Sequence, residues 1–380
     1  MMRKTSCWIA CLLFTCGIQP WSTAKADTLF IGTDSGGGKS KGIYHLEFDS
    51  GSGQLGEPEL AATYTNPGFL VQNPVKPILY CCGVPKGDFG KGVGSVAAFR
   101  ILENRKLEFI KEISSGGINA CHVAVDRLGR TVAVANYSDG SFSTIRLDQE
   151  GIPEKLVSTI GHDAKGPNAN RQDRAHAHGV YFTKDNRHLW MPDLGLDRVF
   201  VCDFNPETSA VVENPEMDLR LSPGDGPRHL AFSKDEKNVY VINELANRVS
   251  VFTKNPDSGK YDAIQSINTL PESYRGSNTT AEIEIHPNGK FVYGSNRGDD
   301  SIALFQRDEQ TGKLEWVKTF ACGGKTPRHF KIDPSGKWLI CAHQDSDSIE
   351  VRSIDPKTGF LGDIASSVTC PKPICVLFAR

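Results

Sequence analysis

The stretch DRAHAHG, residues 173–179, sets His176 and His178 two positions apart, just after the basic residue Arg174. Imidazole changes charge near neutral pH and serves as proton carrier and as metal ligand. A metal site takes three or four ligands. His229 is a candidate further donor, but no acidic or thiol ligand is grouped with the two histidines, so metal binding is the least supported reading. Strand filling, and a direct part in binding or proton transfer, are the others. Elsewhere the chemistry-bearing residues recur in pairs: Arg228 with His229, Arg328 with His329, Asn243 before Glu244, Asn296 before Arg297, and His343 before Gln344. Guanidinium, imidazole and carboxylate together suit recognition of a small anion and acid–base work on it.

The elements that must position these groups are repeated. NACHVAVDRLGRTVAVANY from Asn119, AHGVYFTKDNRHLWMPDL from Ala177, GPRHLAFSKDEKNVYVINE from Gly226, TAEIEIHPNGKFVYGSNR from Thr280 and TPRHFKIDPSGKWLICAHQ from Thr326 can be laid over one another. Each is an alternating apolar run, a tight polar turn and a second alternating run, which is a β-hairpin in period two. With the first turn residue as anchor, Pro74, Arg127, Lys184, Lys234, Pro287 and Pro334 fall at spacings of 53, 57, 50, 53 and 47. Third runs such as RVSVF, SIALF and SIEVR follow, and fourth runs such as KLEWVKTFA. Four short strands at a period near 50 indicate an all-β fold, a β-propeller. Six anchors give six blades. A seventh comes from both ends: PKPICVLF at the C-terminus supplies an inner strand, and DTLFIGT and GIYHLEF near the N-terminus supply the next two. The expected architecture is a seven-bladed propeller of four antiparallel strands per blade over residues 27–380, closed by its terminal strands.

In such a ring the start of strand one and the end of strand two lie at one mouth of the axial channel. The first column there holds Gly68, Cys121, His178, Arg228, Ala281 and Arg328, and the next Phe69, His122, Gly179, His229, Glu282 and His329. The ends of strand two carry Gly83, Asn136, Asp193, Asn243, Asn296 and His343, then Val84, Tyr137, Leu194, Glu244, Arg297 and Gln344. Polar groups converging at one mouth are the default sign of a site. The expected catalytic residues are His178, Glu244, Arg228 and Arg297. The expected substrate-binding residues are His176, His229, Arg328, His329, Asn243, Asn296 and His343. Alternatives stand beside these: Asn and Asp at strand ends bond local backbone, and Arg228 and Arg328 could strut neighbouring blades.

The motifs AHAHGV, DLGLDRVFVC, GDGPRHLAFS, NELANRVSVF, SNRGDDSIALF and TPRHFKIDPSGKWL, in that order, resemble the lactonase-type seven-bladed propellers. That family includes a bacterial form of 6-phosphogluconolactonase and fungal carboxymuconate cyclases. The resemblance spans nearly the whole chain after residue 26. It implies hydrolysis or formation of a small lactone without a required metal or other cofactor. Working groups proposed for the cyclase branch would fall on His178 (or His176), Arg228, Glu244 and Arg297. The expected function is hydrolysis of a small anionic sugar lactone, with Glu244 or His178 as base. A lactone-forming cycloisomerase and a non-enzymatic binding propeller are the alternatives. There is no G-x-S-x-G elbow for a serine nucleophile. GGGKS at 36–40 fails as a phosphate loop, because Thr33 stands where its first glycine is required.

Composition sets the setting. Hydrophobic residues at 39% and charged residues at 23% suit a soluble globular chain. MMRKTS, the apolar CWIACLLFTCGI and a small-x-small AKA ending at Ala26 read as a secretory leader over 1–26. Its removal takes Arg3, Lys4 and Lys25 and no acid, leaving 40 basic against 45 acidic residues, or −5. That balance speaks against nucleic acid as a partner, and no further run is long enough to span a bilayer. An exported monomer, periplasmic or secreted, is expected. Eight cysteines follow the leader, an even number that permits disulfides but lacks C-x-x-C spacing; small buried core residues is the competing reading.

Overall fold

In a computed structural model, residues 27–379 are described, and the leader expected over 1–26 lies outside them. Among the described residues there is no helix, and seven antiparallel sheets form a ring. The seventh-blade expectation is met. The C-terminal strand Pro373–Phe378 pairs with Asp27–Thr33, which pairs with Gly42–Asp49, so both ends of the chain share one blade. The other six each run outward from the axis in sequence order, for example Pro227–Phe232, Asn238–Asn243, Arg248–Lys254 and Tyr261–Asn268. Each innermost strand pairs only on its outer side, so its other edge faces the enclosed axial channel.

The period-two pattern explains the packing. Successive strand residues face opposite sides of a sheet, and in a ring both sides meet a neighbouring blade. Cys81 packs with Phe30 and Phe99 on one side, while Cys82 packs with Val123 and Val134 on the other. Seven such buried clusters sit between adjacent blades. The second strands, buried on both faces, are nearly continuous apolar runs such as VYVI at 239–242. All eight cysteines of the described residues are free thiols, most of them in these clusters.

Hairpin turns at the far mouth have left-handed residues two positions after the anchor: Gly129, Asn186, Glu236, Gly289 and Gly336. Glycine and asparagine adopt that conformation cheaply, which is why PNGK and PSGK recur there. One segment departs from the repeat. Between Gly161 and Tyr181 the chain forms a long loop before the inner strand of its blade, which is reduced to Tyr181–Phe182. This loop occupies the longest anchor interval.

Candidate active site

Bulges on the innermost strands determine what faces the axis. Asn243 pairs with Pro227 and Ile242 with His229, so Arg228 is the extra residue of a bulge. Arg328 is passed over in the same way between Pro327 and His329. So is Cys121, between Ala120 and His122. In the blade of His178, an isolated bridge joins Ala177 to Asp193, and the next amide, that of His178, donates to Pro192 at 3.0 Å. A bulge re-aims side chains and bends the strand. Here it turns both members of each Arg–His pair toward the channel, as two stacked layers.

The lower layer is a floor. His229 Nδ1 lies 2.9 Å from Glu282 Oε2, and His329 Nε2 lies 3.4 Å from the same oxygen. Phe69 lies against His122 with ring centroids 4.0 Å apart. The Val376 amide donates to His329 Nδ1 at 3.2 Å. Burial, ahead of neighbouring charges, pushes the pKa of His122 and His229 well below the ordinary 6.5, and that of His329 to about 3. Neutral imidazoles therefore divide the channel. On the anchor side lies a cavity of about 710 Å³ walled by aliphatic strand residues, with Lys331 paired to Glu284.

The smaller space on the other side is lined by arginines, His178 and Glu244. A pocket of about 390 Å³ is bordered by Tyr137, Arg171, His178, Glu244, Arg297 and Arg328, among others. An adjoining lobe of about 250 Å³ shares Asn119, Cys121 and Arg328 with it and adds Arg228 and, at its edge, Asp34. Four guanidinium groups against two carboxylates leave a formal charge of +2.

Glu244 is the hub. Its Oε1 accepts from Arg171 Nη2 at 2.5 Å; its Oε2 lies 2.9 Å from Arg297 Nη2 and 3.2 Å from Arg228 Nε. Burial alone would raise the pKa of its carboxyl, but Arg297, Arg228 and Arg171 together outweigh burial and hold it at about 2. Each arginine has a second attachment. Arg228 Nη1 donates to the Ala281 carbonyl at 2.8 Å, and Arg297 Nη2 to that of Thr280 at 2.7 Å. Arg171 Nη2 donates to Tyr137 Oη at 3.3 Å. Arg328 differs: it has no hydrogen-bond or ion-pair partner among the described residues, although it borders both spaces. Burial and Arg297 push its pKa down.

His178 faces this hub, with Nε2 4.0 Å from Glu244 Oε2. Burial first, then Arg228, His229 and Arg328, hold its pKa well below the usual value, so the ring is neutral at physiological pH. His176 is in the loop above and points elsewhere. It stacks on Tyr137 at 4.6 Å, with Nδ1 3.0 Å from the Tyr137 carbonyl oxygen and Nε2 3.0 Å from Asp173 Oδ1.

Of the sequence-chosen residues, His178, Glu244, Arg297 and Arg328 border the pocket itself, with Arg228, His229 and His329 reaching the adjoining lobe. Asn243, Asn296 and His343 border neither space. Asn243 Nδ2 donates to Ser250 Oγ at 2.8 Å, and Asn296 Oδ1 accepts from Thr269 Oγ1 at 2.7 Å. His343 faces Cys322 and Cys341. The reason is alternation: Asn243, Asn296 and His343, at the end of strand two, face the blade body, and the next residue of each strand run faces the mouth. Arg171 was missed. It sits in the long loop, which is pinned by buried Gln172 donating to Asp197 Oδ1 at 2.7 Å and to the Leu194 carbonyl at 2.9 Å. The longest interval of the repeat was the available signal. Among the described residues, no group of three potential metal ligands forms around His176 and His178.

Ring and pocket together define a seven-bladed propeller with a cationic axial site. The chain belongs to the lactonase family: the family model "Lactonase, 7-bladed beta-propeller" matches residues 28–378. It is 34% identical over 350 residues to the 6-phosphogluconolactonase of Bacillus subtilis, covering 92% of this chain and 97% of that one. It is 32% identical over 306 residues to a protein of the same name from Formosa agariphila, covering 79% of this chain and 85% of the relative. Among solved structures, the periplasmic gluconolactonase of Pseudomonas aeruginosa is similar, with a TM-score of 0.86 and 28% identity over 94% of this chain and 99% of the other.

Proposed function

We propose that this protein hydrolyses a small anionic sugar lactone at the Glu244-centred pocket. The observation that carries the reading is Arg328, a guanidinium with no hydrogen-bond or ion-pair partner among the described residues, beside neutral His178 in one water-accessible space. A phosphate or carboxylate on the substrate pairs with Arg328, where bidentate geometry favours such groups. That negative charge offsets one of the cations that depress His178, and so raises its basicity when substrate binds.

His178 Nε2 then takes a proton from a water as its oxygen attacks the lactone carbonyl carbon. The tetrahedral oxyanion is stabilised by the guanidinium wall of Arg297 and Arg171, a fixed positive field that needs no reorganisation. The ring C–O bond breaks, and the His178 proton passes to the departing alkoxide. The product is an open hydroxy acid, whose carboxyl releases its proton to solvent. Glu244 is a positioning residue here: a carboxyl held at about 2 is too weak a base for this step. No metal or other cofactor takes part in this scheme. Relatives named 6-phosphogluconolactonase support the substrate class.

Export belongs to the same reading. Its support is the leader pattern over 1–26 and the periplasmic gluconolactonase with a similar fold. The test is a panel of phosphorylated, carboxylated and neutral lactones, with acid release followed by pH indicator and spontaneous opening subtracted. Faster turnover of the anionic members is expected. No turnover of any member would leave a binding propeller as the better reading.

A further inference from the structure

Away from the pocket, the ligand atoms of Cys322, Cys341 and His343 lie within 4.8 Å of one another, between two blades. Cys322 directly follows the outer strand Leu314–Ala321 of the fifth blade, while Cys341 and His343 are on strand Trp338–His343 of the sixth. Cys341 and His343 are two apart on a strand and share a face. Glu350, on the paired strand, stands opposite Cys341 and borders the same small cavity of about 10 Å³.

The second observation is His343 itself. The residue is fully buried, and both ring nitrogens lack a hydrogen-bond partner among the described residues. An imidazole in that condition carries a desolvation cost that ordinary proteins avoid. The loop below is shaped to lie flat on it. A Cβ at Gly324 would stand 2.5 Å from His343 Cγ, and one at Gly323 would stand 2.2 Å from Glu350 Oε1. The CGG sequence thus lets Cys322 approach, and the Gly323 amide donates to Glu350 Oε2 at 3.1 Å.

We propose that Cys322, Cys341 and His343, with Glu350 as fourth donor, form a structural site for a thiophilic divalent ion of the zinc type that clamps the fifth blade to the sixth. Two sulfurs, an imidazole nitrogen and a carboxylate oxygen form a tetrahedral zinc donor set. Both thiols release their protons to solvent on binding. Two thiolates and a carboxylate against a divalent ion leave one negative charge, and Arg352, bordering the same cavity, supplies the compensating cation. A disulfide between the two cysteines would leave both His343 nitrogens unpartnered; a metal gives one of them a ligand role. The spacing, C-x₁₈-C-x-H, is invisible to motif reading because its halves belong to different blades.

The experiment uses the full chain, reduced and stripped of metal, with Co(II) as probe. A thiolate-to-cobalt charge-transfer band saturating at one equivalent and displaced by Zn(II) is expected. Zinc should also protect Cys322 and Cys341 from alkylation in a peptide map and raise Tm. Cys322→Ser and Cys341→Ser should lose the band and His343→Asn its one-equivalent saturation, whereas Cys202→Ala should keep both. If a variant fails to fold, the wild-type alkylation map decides. No band with the wild type, no zinc protection of the two thiols, or a band unchanged in both cysteine variants would overturn the proposal. So would a Cys322–Cys341 disulfide in the protein as isolated.

Discussion

Oε2 of Glu244 stands 2.9 Å from Nη2 of Arg297, and this contact anchors one wall of the pocket. The same carboxylate also holds Arg228 and Arg171. Removing its charge leaves buried guanidinium groups uncompensated, which typically costs about 3–5 kcal/mol. Glu244→Gln should therefore fold with a lower Tm and lose roughly two orders of magnitude or more in kcat/KM, read by thermal melts and lactone turnover. Its pKa is depressed in the native state, so its stabilising effect is full above the ordinary carboxyl value of 4.5 and is lost as pH falls toward about 2. The Gln variant should lack that acid limb. Unchanged turnover would remove Glu244 from the site.

Arg328 has no hydrogen-bond or ion-pair partner among the described residues. Arg328→Met should raise KM for an anionic lactone by roughly tenfold to a hundredfold, the worth of a hydrogen bond to a charged group. A neutral lactone of the same size should show little change. Equal effects on both would mean that Arg328 serves the fold and not the substrate charge.

The pH dependence should follow His178. As base it works when neutral, and its pKa is held below 6.5 by burial and by Arg228, His229 and Arg328. The acid limb of kcat/KM, which reports the free enzyme, should thus lie well below pH 6.5, with a flat profile through neutrality. His178→Asn should abolish the limb along with most of the turnover. A limb centred near 6.5 would assign the base to a solvated group instead.

Asp193 gives a stability test distinct from catalysis. Its Oδ1 accepts from the amides of His176 and Gly195 at 2.8 and 2.9 Å, while Oδ2 has no hydrogen-bond partner among the described residues, and burial pushes its carboxyl up to about 7. A raised native pKa means that the unfolded chain loses its proton first as pH rises. Stability from this group is full below the ordinary 3.8 and is lost as pH rises to about 7. Asp193→Asn keeps the accepting oxygen and removes the charge, as Asn136, Asn243 and Asn296 do in their blades. The variant should match the wild type at pH 4 and exceed it at pH 8, by up to about 4 kcal/mol from the one-unit equivalence. Parallel denaturation curves at both pH values would refute this.

The hairpin repeat, the ring closure by Pro373–Phe378 and the mouth that carries His178, Arg228 and Glu244 were all legible, because strand alternation and turn chemistry are local and recur six times over. Distinguishing Asn243 from Glu244, or His343 from Arg328, was not. Adjacent strand residues face opposite sides, and the bulges at Arg228 and Arg328 locally suspend that rule.

Sequence alone therefore determined the architecture and the kinds of group gathered at the axis, since both follow from short-range periodicity. Only the tertiary structure decided how those groups are wired. It made Glu244 a counterion for three arginines and left Arg328 uncommitted, sent His343 to two cysteines of a blade interface, and brought Arg171 in from a loop outside the repeat. These outcomes depend on contacts between stretches tens of residues apart, and on the charge and burial those contacts create.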